Sequence, residues 1–174
     1  MYRLTGLGVV GAMAFFAGMV SASADDVFCP PSLGDITVDG NVIVEEGALC
    51  TLSGTRVKGN VLVDAGGDLR TRKGARVIGN IQAEGAERIR VFGGTFVDGS
   101  IQVTNTDSNG RRKSPTVKVT RSIINGDVQL DDNEEGIKVR KNVIDGNLQC
   151  QGNANPIKVG QNQVEGDIED QCAQ

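Results

Sequence analysis

One three-residue frame, apolar–any–Gly, recurs seven times along this chain at almost constant spacing. It occurs at Val38-Asp39-Gly40, Val57-Lys58-Gly59, Val77-Ile78-Gly79, Val97-Asp98-Gly99, Ile124-Asn125-Gly126, Ile144-Asp145-Gly146 and Val164-Glu165-Gly166. The glycine-to-glycine steps are 19, 20, 20, 27, 20 and 20 residues. A fixed period near 20 means one small structural unit stacked on itself.

Aligned on the glycine, three short strand signals appear in each period. The first follows the glycine directly, as in Val61-Leu62-Val63, Ile101-Gln102-Val103 and Val128-Gln129-Leu130. The second lies about eleven residues on, as in Ile89-Arg90-Val91, Val117-Lys118-Val119 and Ile137-Lys138-Val139. The third leads into the next glycine. Alternation of apolar and polar positions marks strands with one buried face. Such short strands cannot close a core alone, but stacked coils pair each strand in parallel with its equivalent and build a continuous apolar column. The expected fold is all-β: a single-stranded parallel β-helix of about six coils of about 20 residues. At about 4.8 Å per coil it would be roughly 30 Å long. Right-handed winding is favoured, as it is for parallel crossovers generally. A left-handed hexapeptide form suits the spacing less well, because 20 is not a multiple of six.

Each glycine is followed by Asn41, Asn60, Asn80, Ser100, Asp127, Asn147 or Asp167. A tight turn suits this pair, the glycine tolerating positive φ and the small polar side chain bonding nearby backbone. Stacked coil on coil, these side chains should form a polar ladder. The irregular 27-residue step places an insertion at 104–116, a stretch with Asn109-Gly110, Pro115 and the cations Arg111, Arg112 and Lys113. Solenoid insertions map to loops on one side, often the binding side.

The first 24 residues read differently. Arg3 precedes an apolar run from Leu7 to Val20, and Ser21-Ala22-Ser23-Ala24 supplies small residues at cleavage positions. This is the pattern of a secretory signal peptide, cut before Asp25 and leaving no membrane span in the domain 25–174. Without Arg3, 17 basic side chains face 22 acidic ones, and the domain has no Met, Tyr, Trp or His. That acidity argues against nucleic-acid binding. Four cysteines in an exported chain read as two disulfides. Cys29 and Cys50 are 21 residues apart, and Cys150 and Cys172 are 22 apart. Each pair is thus separated by about one coil, whereas other pairings would span several coils, beyond disulfide reach. Cys29–Cys50 and Cys150–Cys172 are therefore expected.

The second strand carries a cation at its outward middle position in five successive coils: Arg70, Arg90, Lys118, Lys138 and Lys158. This stripe could track an anionic polymer such as an acidic glycan. The favoured reading is a solvated face that limits edge pairing, with Glu45, Asp64, Glu84 and Asp131 nearby to offset it. Asp131-Asp132-Asn133-Glu134-Glu135 is the densest carboxylate run. Its spacing fits no EF-hand loop, so a solvated turn is expected rather than a calcium site.

Gly146-Asn147-Leu148-Gln149-Cys150, Asn155-Pro156, Asn162, Val164, Gly166 and Gln171-Cys172 resemble the C-terminal cassette of small secreted bacterial proteins of unknown function. The remaining coils resemble, more loosely, the bactofilins, whose short β-helices polymerise end to end. Neither resemblance implies a catalytic residue.

No catalytic, metal or cofactor motif stands out. The expected role is a non-enzymatic, secreted structural or surface-interaction module, periplasmic or extracellular. A binder of an anionic polysaccharide or envelope component is the alternative. A polysaccharide lyase or hydrolase, which would need paired carboxylates, comes third. No cofactor is expected, and self-association is the other partner class the fold allows.

Overall fold

Strands of two to five residues recur three times in each period and pair with their equivalents one coil away, always in parallel. The computed structural model describes residues 25–29, 32–107, 116–134, 136–154 and 156–174. Residues 1–24, expected to be a signal peptide, and the candidate loop cations Arg111, Arg112 and Lys113 lie outside the described residues.

Three parallel sheets result. The first, of eight strands, runs from Val27–Phe28 through Val42–Val44, Val61–Val63, Ile81–Glu84, Ile101–Thr104, Val128–Asp131 and Leu148–Gln151 to Ile168–Asp170. The second, of seven, holds Ser32–Leu33, Leu49–Ser53, Asp68–Arg72, Arg88–Phe92, Val117–Thr120, Ile137–Arg140 and Ile157–Gly160. The third, also of seven, holds Thr37–Val38, Arg56–Val57, Arg76–Val77, Phe96–Val97, Ile123–Ile124, Val143–Ile144 and Gln163–Val164. This is the expected β-solenoid.

The inward positions converge on one core. In the first sheet, Ile81 follows Val61 and precedes Ile101, Val128 and Leu148 in strict register, all fully buried. Leu69, Ile89, Val117 and Ile137 do the same in the second sheet, and Val57, Val77, Val97, Ile124 and Ile144 in the third. Each such aliphatic side chain contributes about 1.5–3 kcal/mol on burial. Branched residues dominate because they pack well on a pleated, buried surface.

The corners are built from hydrogen-bonded ladders. Between the third and first sheets the Asn60 N–H donates to Asn41 Oδ1, Asn80 to Asn60, Ser100 to Asn80, Asp127 to Ser100 Oγ, Asn147 to Asp127 and Asp167 to Asn147, at 2.7–3.0 Å. The polar ladder is thus structural. The glycines before it owe their place to a different cause from the one expected. None of the seven adopts positive φ. Instead, a Cβ on Gly59, Gly79, Gly99, Gly126, Gly146 or Gly166 would lie 2.6–2.8 Å from the carbonyl oxygen of the glycine one coil before. Close approach of stacked backbones, rather than turn conformation, demands glycine there.

The other two corners carry ladders that were not expected. Asn142 donates its backbone N–H to Asn162 Oδ1 (3.0 Å), its side chain donates to Val119 O (2.9 Å), and its Oδ1 accepts from Ser122 N–H (3.1 Å). At the corner between the first and second sheets, Asn133 accepts from Thr106 N–H (3.2 Å) and donates to Asn153 (2.9 Å). Asn153 donates in turn to Gln171 Oε1 (2.8 Å). Within the acidic run Asp132 and Glu134 are exposed, as a solvated turn requires, but Asn133 between them is fully buried. Its neighbour Asp132 has φ 52°, a left-handed conformation that Asp tolerates.

Both ends are stapled as the spacing implied. Cys29 is bonded to Cys50 and Cys150 to Cys172, with Cα–Cα distances of 5.5 and 5.1 Å. The last coil ends in a 3-10 turn, Gln171–Ala173. The Gln171 side chain both accepts from Asn153 N–H and donates to Asn153 O, closing its ladder. The insertion is narrower than 104–116. Thr104 belongs to a strand, and Thr106 and Thr116 are fully buried with their hydroxyls 3.2 Å apart.

Candidate anion-binding face

The second sheet brings the cationic stripe together. Arg70, Arg90, Lys118, Lys138 and Lys158 are consecutive Cα partners, one per coil, on outward positions. A second column lies two residues along, with Arg72, Phe92, Thr120 and Arg140 at equivalent positions. A third runs along the adjoining corner, where Lys73, Arg121 and Lys141 adopt φ of 54°, 53° and 60°. Sequence reading found only the first column. The others were obscured because their cations sit beyond the regular apolar–polar–apolar triplet.

The charge on this face is graded. At its N-terminal end Asp68 is the counter-ion: its side chain and that of Arg88 are each only 9% exposed, and the two form a charge-assisted pair through Arg88 Nε (3.0 Å) and a terminal guanidinium nitrogen. Arg90 also reaches Asp68, at 3.4 Å. Burial pulls the Arg90 guanidinium below its ordinary range, Asp68 opposes that pull, and Arg88 and Arg70 add to it. Asp68 and Arg88 were missed in the sequence, where each precedes its triplet by one residue.

Toward the C-terminal end that counter-charge is gone. Lys118, Thr120, Arg121, Lys138, Arg140 and Lys141 line a hollow of about 220 Å³. None of its five cations is in an ion pair among the described residues. Among the described residues the Arg140 side chain bonds only the neutral Gln161, at 3.3 Å.

The acids expected to offset the stripe lie elsewhere. Glu84, Thr104 and Asp131 are in register on the first sheet, with Asp64 one coil before. Beside them Gln82 donates to Gln102, Gln102 to Gln129 and Gln129 to Gln149, at 2.8–3.0 Å. These amides occupy one another's hydrogen-bonding capacity. The Asp131 carboxyl is held above the usual carboxylate range, chiefly by burial, with Asp132 and Asp170 adding to the effect and the Gln151 N–H opposing it.

The third sheet differs again. Its outward column reads Thr37, Arg56, Arg76, Phe96, Ile123, Val143 and Gln163. The Arg76 guanidinium lies over the Phe96 ring, 4.1 Å from its centroid. The three faces are therefore cationic, amide-and-acid, and partly apolar. Among the described residues no helix is long and apolar enough to cross a membrane. No family model, curated protein or solved structure matches this chain.

Proposed function

We propose that this chain is an exported, non-enzymatic surface-interaction module whose second-sheet face engages an anionic polymer, best represented by an acidic polysaccharide of a cell envelope. The observation that carries this reading is the cation cluster Lys118, Arg121, Lys138, Arg140 and Lys141, without a carboxylate partner among the described residues. Like charges stacked about 5 Å apart repel. Evolution of a face for solubility alone would place acids among them, as Asp68 is placed among Arg88 and Arg90.

A polymer suits the face better than a small anion. The cations repeat along the solenoid axis at one level per coil, and a chain of regularly spaced carboxylates or sulfates meets several levels at once. Export is supported by the leader pattern and by the two disulfides that staple the ends.

Retention of residues 25–174 on immobilised polygalacturonate tests this reading. Binding at low ionic strength with elution by moderate salt is expected, because exposed charges are screened within about 10 Å at 0.1 M. Passage through polygalacturonate and dextran sulfate alike at low salt would leave a purely structural module.

A further inference from the structure

Unpaired charge on the second sheet is concentrated at one place. Lys118, Thr120, Arg121, Lys138, Arg140 and Lys141 line the hollow of about 220 Å³, so five cations from two successive coils surround one small volume. Along the axis the first column continues, through Arg90 on one side and Lys158 on the other. The other two columns are interrupted there. In the coil before, their positions hold Phe92 and Gly93, and in the coil after, Gly160 and Gln161. Arg90 is moreover held by Asp68, at 3.4 Å. The nearest described acids in sequence, Glu134 and Asp145, do not line the hollow.

These walls favour one kind of anion. Coils are about 4.8 Å apart and alternate residues of a strand about 6.6 Å apart, so the cations approach from three columns rather than along one line. A polymer with one carboxylate per coil presents two charges to these five cations. A phosphate monoester gathers nearly two charges and three acceptor oxygens on one atom at neutral pH. Each oxygen can then accept from a different column. Lysine meets phosphate as a point charge and arginine as a paired donor, and the hollow holds both. Arg140 is steadied by Gln161, and Thr120, only 6% exposed, supplies a neutral floor. The volume is about seven times the roughly 30 Å³ of one water, yet below the roughly 300–1,000 Å³ of pockets for drug-sized ligands. It has room for one sugar residue with its ester group.

We infer that this hollow seats a single phosphorylated sugar residue, its phosphate monoester meeting Lys118, Lys138 and Arg140 on one side and Arg121 and Lys141 on the other. The polymer that carries this residue is the one proposed above, and the assignment rests on that reading. Lys158 then meets the adjoining residue of the same polymer.

Three dextrans substituted to equal extent with phosphate, sulfate or carboxymethyl groups compare the anions on one backbone. In calorimetric titration of residues 25–174 at pH 7.5, dextran phosphate should bind at least about tenfold more tightly than carboxymethyl dextran, the difference that one further charge-assisted hydrogen bond makes. R121Q with K141Q should bring the two within about twofold of each other. Glutamine suits both positions, since Gln161 occupies the equivalent place one coil on with φ 57°. R56Q with R76Q, on the third sheet, should leave the ratio unchanged.

The pH dependence is a second readout. The cations favour the dianion, so affinity is full above about pH 6, where the free ester holds its second charge, and is lost below it. From pH 7.5 to pH 5 dextran phosphate should weaken about threefold to tenfold while dextran sulfate does not weaken. The chain has no histidine, and the sulfate arm carries any titration of the protein itself. Glucose 6-phosphate should displace dextran phosphate at a lower concentration than inorganic phosphate does, and equal competition would overturn the sugar assignment. Carboxymethyl dextran bound as tightly as dextran phosphate, or phosphate binding unchanged by pH, would overturn the phosphate assignment and leave the proposed function standing. Failure of all three dextrans to bind at low salt would end both. Circular dichroism matching wild type confirms that each variant is folded before it is scored.

Discussion

Asn162 sits one coil beyond Asn142 and accepts both its backbone N–H and its side-chain N–H, each at 3.0 Å. The same Asn142 side chain reaches back to Val119 O and accepts from Ser122 N–H. One buried amide therefore satisfies polar groups on three coils. Replacing it with alanine leaves a buried carbonyl and a buried N–H without partners. N142A is expected to lose about 1–3 kcal/mol of stability for each stranded group, measured by urea denaturation.

The glycine rows give a test with an internal control. At Gly99 an added Cβ would lie 2.7 Å from Gly79 O, and backbone on that side has no room to move without opening the stack. G99A should cost about 1–3 kcal/mol, as overpacking does. Gly34 has nothing within 4 Å of the same hypothetical atom and no positive φ. G34A should therefore be neutral or slightly stabilising, by up to about 1 kcal/mol through the unfolded chain. Equal effects at both positions would remove the close-approach explanation.

Asp68 should prove structural. Its carboxylate is the counter-ion that lets Arg88 be buried and holds Arg90 beside it. D68N leaves the Arg88 charge in place with its partner neutralised, and a loss of up to about 3–5 kcal/mol is expected. The thermal midpoint, compared with that of D64N on the exposed first-sheet edge, reports it directly.

Asp131 predicts a pH signature of defined sign. Its carboxyl is raised above the ordinary range, so the folded state favours the protonated form. The stability this contributes is present at low pH and is lost as pH rises through the folded-state value. At pH 7 the ionised carboxylate is a small liability, screened by solvent. D131N should raise the thermal midpoint slightly at pH 7, corresponding to no more than about 0.5 kcal/mol. The gain should shrink toward pH 3. A gain that grows on acidification would contradict the sign.

Much of this architecture was legible from period alone. The glycine frames, the triplets such as Val117-Lys118-Val119 and the spacing of the cysteines each encode a coil, because stacking forces equivalent residues to recur. The post-glycine ladder was legible for the same reason. The ladders of Asn133 with Asn153 and of Asn142 with Asn162 also repeat at 20 residues, but only over the last coils. Earlier coils fill those corners with Ala75, Thr95 and Ala86, so no row is apparent in the sequence. The charges divided differently. Which column a cation joins depends on the corner geometry around left-handed Arg121 and Lys141, which no period encodes. The offsetting role assigned to Glu45, Asp64, Glu84 and Asp131 failed because sequence neighbours at a solenoid corner face different sheets.

The central claim is that binding resides on the second-sheet face rather than in the cations generally. Calorimetric titration of polygalacturonate into two triple variants tests it most directly. K118Q, K138Q and R140Q together remove the unpaired face, and R56Q, K58Q and R76Q together remove three cations from the third sheet and its edge. Exposed charge contacts contribute about 0.2–1 kcal/mol each, so the first variant should bind about threefold to 150-fold more weakly while the second stays within about twofold of wild type. Equal weakening in both variants, or none in the first, would contradict the account.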